Sequence, residues 1–183
     1  MSYSIYNPCD EEVIDPVCDP CLNDMEHGRV RSGAYIHKGY LPTLMEDPED
    51  AQKWLDGIAD KSIYIIPETL GSFDGGQPVE ATGYGDVQSK IVGFNFSLPY
   101  KDPNFKGNCD FYNSIMGSSN WHFAFRTETQ TRISGKPVTI IPKSPVTEEL
   151  NSEVVWDVEI KWSEAKQPCP FNTPEGVFVC SNF

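Results

Sequence analysis

The sequence predicts a mainly β protein, a β-sandwich with one or two flanking helices and an irregular N-terminal arm. The first observation is the segment 152–162, SEVVWDVEIKW, in which apolar and charged side chains alternate. Successive side chains of a strand point to opposite faces, so one face of this segment is apolar and the other is charged. The second observation is that alternation recurs at 88–100 and 121–125, whereas helical spacing is confined to two short segments.

The strand at 152–162 is expected to be half-buried, with upstream strands as its partners. Its apolar face carries Val154, Trp156, Val158, Ile160 and Trp162, and Val155 is the one break in the alternation. Its other face carries Glu153, Asp157 and Glu159. Paired carboxylates can perform acid–base chemistry, as in glycosidases. Regular alternation is more typical of a solvated face, which is the interpretation we favour.

The N-terminal part differs in composition from the rest of the chain. Residues 1–33 are rich in Asp, Glu, Pro and Cys and show no sustained period. We assign them to an acidic, Cys/Pro-rich arm and residues 34–183 to the sandwich domain. A segment with few apolar residues typically becomes ordered on a partner, so the arm is expected to reach a neighbouring subunit. A short strand is predicted at 34–40.

A helix is predicted at residues 48–59. Asp47 is a favourable N-cap, and Pro48 suits the first helical position. An apolar stripe at helical spacing follows, formed by Ala51, Trp54, Leu55 and Ile58. Residues 62–66 are then predicted to form a short buried strand that Pro67 closes.

The middle of the chain predicts a loop, a long strand and a short helix. Residues 71–85 are glycine-rich and are expected to form a loop that could also contact a neighbour. Residues 88–100 predict a strand, with Gly93 as a bulge signal. Asn108 can cap a helix at 109–116. The side chains expected to face the sheet are those of Phe111, Tyr112 and Ile115.

The last third predicts further strands. Residues 121–125 alternate, and the threonines of 127–131 are expected to extend that strand as a polar ribbon. Residues 138–141 form a strand that Pro142 is expected to end. The tail at 166–183 is expected to pack on the outside.

Charge and composition exclude several classes of function. The net charge of −13 repels phosphate backbones, which argues against a nucleic-acid grip but allows a channel through which DNA slides. No apolar run approaches the ~20 residues of a membrane helix. The N-terminal segment lacks a basic start and a long apolar stretch, so we expect no signal peptide.

The cysteines of the arm are the candidate metal ligands. Cys18 and Cys21 form a C-x-x-C pair, with Cys9 before it and His27 after it. Four such ligands could hold a structural zinc. Reduced thiols are the interpretation we favour for a chain without an export signal, and disulfides are the third alternative. We therefore expect no tightly bound metal and no cofactor.

Catalytic patterns are lacking in the sequence. The histidines are His27, His37 and His122. His122 is expected on the outer face of its strand as a structural residue, with no nucleophile elbow near it. Exposed aromatic residues could form a sugar-binding platform, but at strand spacing they are more often core residues. The aromatic residues in question are Trp121, Phe123, Phe125, Trp156 and Trp162. We predict that the protein is not an enzyme.

Five segments carry a resemblance to a known family. They are CDFYNSI, WHFAFRTET, GKPVTIIPKSPV, SEVVWDVEIKWS and PCPFNTPEGVF. On these segments, residues 86–178 resemble the tail-tube and tail-ring proteins of tailed bacteriophages, especially virion proteins of crAss-like and related phages of gut Bacteroidetes. The resemblance covers about half of the chain.

The resemblance implies a tail-tube-like β-sandwich that closes side by side into a homo-oligomeric ring. The function it implies is that of a virion structural protein, a ring subunit of the tail or of the head–tail connector. DNA would pass through the lumen without specific binding, and the partners would be other tail or portal proteins rather than a membrane. The protein would reside in the virion after assembly in the cytoplasm of the bacterial host. The family implies no catalytic or cofactor-binding residues. The alternative from another class is a carbohydrate-binding or adhesin-type β-sandwich on a virion.

Overall fold

The computed structural model describes residues 15–16 and 26–180 of the chain. This part is mainly β, as the sequence predicts, with ten strands in two antiparallel sheets and three short helices. The strands are β1 (Ser32–His37), β2 (Ile63–Ile66), β3 (Leu70–Gly71), β4 (Gln77–Ala81), β5 (Lys90–Asp102), β6 (Trp121–Arg126), β7 (Gln130–Ile133), β8 (Thr139–Lys143), β9 (Trp156–Glu164) and β10 (Phe171–Asn172). The helices are α1 (Leu41–Met45), α2 (Ala51–Ala59) and α3 (Cys109–Ile115).

The ten strands are divided between two sheets. Sheet I has the order β3-β5-β9-β8, and β4 also pairs with β5. Sheet II has the order β10-β7-β6-β1-β2. The main core lies between the sheets, and α3 contributes Tyr112 and Ile115 to it. The β-sandwich with flanking helices is therefore confirmed.

The alternation predicted for β9 is confirmed in phase. Trp156, Val158, Ile160 and Trp162 are all buried in the main core. Val154, in contrast, precedes the strand and is 40% exposed. The strand therefore begins later than the sequence pattern does, because its partner β5 ends at Asp102 opposite Trp156.

A second apolar cluster covers the other face of sheet II. It joins sheet residues to α1, α2 and the C-terminal tail, and its buried members are Ala34, Ile36, Leu44, Trp54, Ile63, Ile65, Ala124, Ile133, Val177 and Phe178. Sheet II is thus buried on both faces. The tail packs on the outside of the sheet, as expected, but it is part of a core rather than a surface wrap.

Helix α2 is shorter than the sequence predicts. It begins at Ala51, and the cap is Asp50 rather than Asp47, because the Asp50 carboxylate accepts a hydrogen bond from the Gln52 amide at 3.0 Å. Trp54 is buried, and its indole N–H donates to the Pro48 carbonyl at 2.9 Å. This bond fixes the turn that leads into the helix.

Several loop and strand predictions are corrected by the structure. The predicted loop 71–85 contains β4, since this segment pairs with the first half of β5. The threonine ribbon is wrong as well: the chain turns at 127–129 and returns as β7, in which Thr131 is buried. Pro142 does not end its strand. It lies within β8, which is an edge strand and therefore tolerates the missing N–H.

The sandwich also begins earlier than the expected boundary at residue 34. Val30 is buried in the main core, and β1 starts at Ser32. Residues 26–33 therefore belong to the folded unit, because they supply a core side chain and the start of a central strand. Of the remaining arm, only residues 15–16 lie within the described part of the chain.

Candidate functional site

A chain of buried phenols ends on Asp102 at one end of the sandwich. The Tyr35 hydroxyl bonds to the Tyr100 hydroxyl, which lies 3.1 Å from the Tyr112 hydroxyl. Tyr112 in turn donates to Asp102 Oδ2 at 2.7 Å. Each hydroxyl has a single proton to donate. The protons therefore align in series, from Tyr35 to Tyr100, from Tyr100 to Tyr112, and from Tyr112 to Asp102.

The Asp102 carboxylate is fully engaged by its neighbours. It is 2% exposed. Its Oδ1 accepts a hydrogen bond from the Asn104 amide at 2.9 Å, and its Oδ2 accepts a second bond, from Asn108 Nδ2, at 2.6 Å. Asn108 precedes α3, as predicted, but its side chain makes no capping bond because it is used on Asp102. A buried polar group with all its partners rigidifies the structure around it.

The three phenols are neutral donors over the physiological pH range. Burial raises the pKa of Tyr35 and Tyr100 well above the ordinary tyrosine value. Burial also raises the pKa of Tyr112, and the nearby Tyr35 and Asp102 raise it further. The network therefore ties β1, β5 and α3 together through fixed donors, and it supplies no phenolate that could act as a base.

A pocket of about 390 Å³ lies beside this network. Tyr64 and Phe111 contribute aromatic walls with ring centroids 5.5 Å apart. Asp102, Asn104 and Asn108 also line it, but the Asp102 oxygens already have protein partners. The pocket lining is thus mainly apolar, and it includes the exposed Glu68 besides the engaged Asp102.

The acidic face of β9 is solvated, as the sequence favours. Glu159 accepts a hydrogen bond from Ser97 Oγ at 2.8 Å and lies 3.5 Å from Lys161 Nζ. The Ser97 bond is the main reason why the pKa of Glu159 lies below its usual value, and Lys161 adds to it. Glu153 is exposed and precedes the strand. The carboxylates therefore follow the regular alternation of a strand and form no acid–base pair.

His122 is buried rather than on an outer surface. Its ring Nδ1 lies 2.9 Å from the Ser134 carbonyl, and burial lowers its pKa. The expected outer face of β6 is covered by the second apolar cluster, which explains the burial. The histidine is structural, as expected.

The predicted arm ligands do not form a described cluster. Cys9, Cys18 and Cys21 lie outside the described residues. His27 is exposed, and its backbone amide donates to Glu128 Oε2 at 3.1 Å. Within 15–16 and 26–180, no three His, Cys, Asp or Glu side chains are placed to hold a metal ion. The absence of a tightly bound metal stays a prediction, which elemental analysis of the purified protein would test.

The aromatic residues considered as a sugar platform belong mainly to the core. Phe123, Phe125, Trp156 and Trp162 are buried between the sheets. Trp121 is partly buried and packs against Tyr64 and His37. The core interpretation is therefore confirmed for these positions.

The most exposed ordered element is a hairpin that extends past the end of sheet I. β4 pairs with residues 90–95 of β5, whereas β9 pairs with β5 only from Phe94 onward. Among the described residues, the hairpin therefore continues beyond the sheet without a strand paired to its other side. Its exposed apolar side chains are Val79, Tyr84, Val87, Ile91 and Val92.

A β-bulge bends the hairpin where it leaves the sheet. Pairing passes from Val79↔Gly93 to Glu80↔Ile91, so Val92 is the extra residue. The bulge signal at Gly93 is thus confirmed. A Cβ at Gly93 would lie 3.1 Å from the Glu164 carbonyl, so the close approach of β9 favours glycine. Bulges increase the local twist, which turns the hairpin tip relative to the sheet.

The sequence reasoning missed the phenol–carboxylate network and the hairpin. The network does have a signal in the sequence. Residues 96, 98, 100 and 102 share one strand face, so the pattern that buries Phe96 and Leu98 also points Tyr100 and Asp102 inward. A carboxylate at a buried strand position needs partners, and the donors come from distant segments that only the fold brings close.

No known family, curated protein or solved structure matches this chain. Among residues 15–16 and 26–180, no helix is long and apolar enough to cross a membrane.

Proposed function

We propose that this chain is a virion structural protein, a subunit of a homo-oligomeric ring in the tail or the head–tail connector of a tailed bacteriophage. The ring would surround the DNA channel, and its neighbours would be other tail or portal proteins. The resemblance of residues 86–178 to tail-tube and tail-ring proteins supports this proposal. The observation that carries an assembly role is the projecting hairpin of β4 and β5.

The hairpin has the properties of an assembly contact. Five apolar side chains are exposed on one short element, and an isolated two-stranded ribbon is marginally stable in water. Exposed apolar patches on soluble proteins mark interaction sites. Contact with a neighbouring subunit would cover these side chains and the unpaired strand edges. Strand β4 of the hairpin lies in the glycine-rich segment 71–85, which is expected to contact a neighbour. The other strand of the hairpin is the first half of β5.

The charge of the chain fits a wall around DNA. The net charge is −13. The support comes from this total charge rather than from the solvated face of β9, where Asp157 pairs across the sheet with Lys101 and Lys143 and Glu159 lies 3.5 Å from Lys161. Like charges repel, so a chain of this net charge would let a phosphate backbone slide past rather than hold it. The carbohydrate-binding alternative has no comparable support, because most of its candidate aromatic residues lie in the core.

The mass of the full-length protein in solution tests the assembly role. We expect closed oligomers by native mass spectrometry, and we expect Val87→Ser/Ile91→Ser to abolish them while the protein stays folded. The matched control is Val146→Ser/Leu150→Ser, which changes two apolar residues outside the hairpin that are more exposed than Val87 and Ile91. Equal assembly of both double variants would remove the hairpin from the mechanism.

The virion role has its own test. Peptide mass spectrometry of purified particles of the phage that carries this sequence should detect the chain in multiple copies per particle. Its absence from purified particles would overturn the proposed function.

A further inference from the structure

An arginine-lined cavity lies on the side of the molecule where the arm enters the fold. Arg29, Arg31 and Arg126 line a cavity of about 580 Å³, together with residues of the C-terminal tail. Glu68 is the one acidic residue among the lining side chains of this cavity. In a chain of net charge −13, three arginines around one cavity form a local surplus of positive charge.

The side chains of these arginines have few polar partners among the described residues. The described residues form two ion pairs, and both involve lysine. Arg31 Nε is buried and has no hydrogen-bond partner within residues 15–16 and 26–180. In the described part of the chain Arg126 donates to neutral oxygens, with Nε 3.3 Å and Nη2 3.2 Å from Ser32 Oγ and Nη1 3.5 Å from the Glu128 carbonyl. Arg31 and Arg126 line the same cavity, and their like charges repel each other. Burial lowers the pKa of Arg126, and the charge of Arg31 lowers it further.

An anionic ligand would relieve this repulsion. A carboxylate accepts two parallel hydrogen bonds from one guanidinium, and such charge-assisted bonds are stronger than neutral ones. Residues 1–25 of the chain hold six acids and no Lys or Arg. The densest part is the segment 10–15, DEEVID, with four acids in six positions. This segment is the chain's own source of a ligand with matching charge.

We propose that the cavity of Arg29, Arg31 and Arg126 binds the acidic segment 10–15 of a second copy of this chain. The inference rests on the proposed function, since it names the contact by which one ring subunit holds the next. A charged segment that becomes ordered on a neighbour adds contact area and specificity to the interface. Each subunit offers one arm and one cavity, so the contact is head-to-tail and can close into a ring.

Peptide binding to a full-length receptor tests the contact directly. The receptor is the chain with Asp10→Asn, Glu11→Gln, Glu12→Gln and Asp15→Asn, which leaves its cavity free of its own acidic arm. The probe is a fluorescein-labelled DEEVIDP peptide, followed by fluorescence anisotropy. Arg29→Gln/Arg31→Gln in this receptor should weaken binding at least about tenfold, because two charge-assisted donors are lost.

The matched control is Lys143→Gln/Lys166→Gln in the same receptor, which removes two exposed charges outside the cavity. It should bind the peptide as tightly as the receptor does. If Arg29→Gln/Arg31→Gln fails to fold, Arg29→Lys/Arg31→Lys replaces it. This variant keeps the charge and should still weaken peptide binding, because lysine cannot form the two parallel bonds. Equal binding by the cavity variants and the control overturns the proposal. Equal binding of the neutral peptide NQQVINP overturns it as well.

A mixing experiment distinguishes a second copy from the chain's own arm. The cavity variant with an intact arm and the arm-neutral variant with an intact cavity should each stay monomeric, and their mixture should stop at dimers. Assembly of each variant alone to the wild-type mass would overturn the inference and leave the proposed function standing. A wild-type chain that never oligomerises would remove the proposed function, whatever the peptide result.

Discussion

The two halves of β5 belong to one strand but lie in different environments. Residues 96–102 lie in the main core, where Phe96, Leu98 and Tyr100 are buried against β9 and sheet II. Residues 90–93 pair with β4 before the pairing with β9 begins at Phe94, and Ile91 and Val92 are exposed. Both halves are rich in apolar residues, so composition does not separate them.

The difference shows that burial within a strand depends on what lies opposite it. Residues 90–93 have a pairing partner but leave Ile91 and Val92 exposed, whereas the second half is both paired and buried in the main core. Apolar side chains that a strand retains without cover indicate contact with something outside the chain. The core half should therefore respond to substitution through stability, and the hairpin half through assembly.

The largest expected loss of stability is for a substitution in β9, the strand that pairs with the core half of β5. Trp156 is buried, and its indole N–H donates to the Phe105 carbonyl at 2.8 Å. Trp156→Ala should lower the free energy of unfolding by about 3–5 kcal/mol, because it leaves a large cavity. Chemical denaturation measures this loss. Val154→Ala, two residues earlier and 40% exposed, is the control and should cost less than about 0.5 kcal/mol.

The next effect concerns the phenol network. Tyr112→Phe removes the donor to Asp102 and the acceptor for Tyr100 while keeping the ring. Leaving buried polar groups without partners should cost about 1–3 kcal/mol. Tyr84→Phe removes a hydroxyl from a tyrosine that is 94% exposed, and thermal unfolding should show no change. Equal stability of both variants would mean that the network is replaceable.

A smaller, pH-dependent effect is expected where the arm enters the fold. Hydrogen bonds from Thr129, Thr127 and Gln130 lower the pKa of Glu26 from 4.5 to about 2. A lowered pKa in the folded state stabilises the protein above pH 4.5, and this contribution is lost as the pH falls toward 2. Glu26→Gln should therefore be less stable than the wild type at pH 6, and the difference should shrink on acidification. Denaturation at both pH values measures it, and a difference that grows at low pH would contradict the assignment.

The smallest stability effect belongs to the hairpin half. Val87→Ser/Ile91→Ser should change the free energy of unfolding by less than about 0.5 kcal/mol, since exposed side chains contribute little. The same variant should lose oligomers in native mass spectrometry. A destabilisation comparable to that of Trp156→Ala would mean that the hairpin packs on its own chain, and the contrast between the two halves would fail.

The sequence predicted well those local features that depend on which side chains share one face of a strand or helix. The phase of β9, the bulge at Gly93 and the inward face of α3 follow from spacing alone. Sheet II was harder to predict, because the tail residues that cover its second face lie far along the chain. Burial of His122 and Thr131 depends on that cover. β4 was missed because its sequence, QPVEA, is short and lies among glycines, and only pairing with β5 defines it. The pairing of Asp102 with Tyr112 and Asn108 likewise exists only after α3 packs.

Proline at the edge of sheet I has a consequence for colloidal behaviour. β8 pairs with β9 alone, and Pro142 lies within it. An open edge is a template for fibril growth, and a residue without an N–H interrupts the row of donors that an incoming strand requires. Pro142 thus hinders the addition of another chain at this edge when the protein is concentrated. A Pro142→Thr chain would present an unbroken edge, and thioflavin fluorescence would rise during its storage.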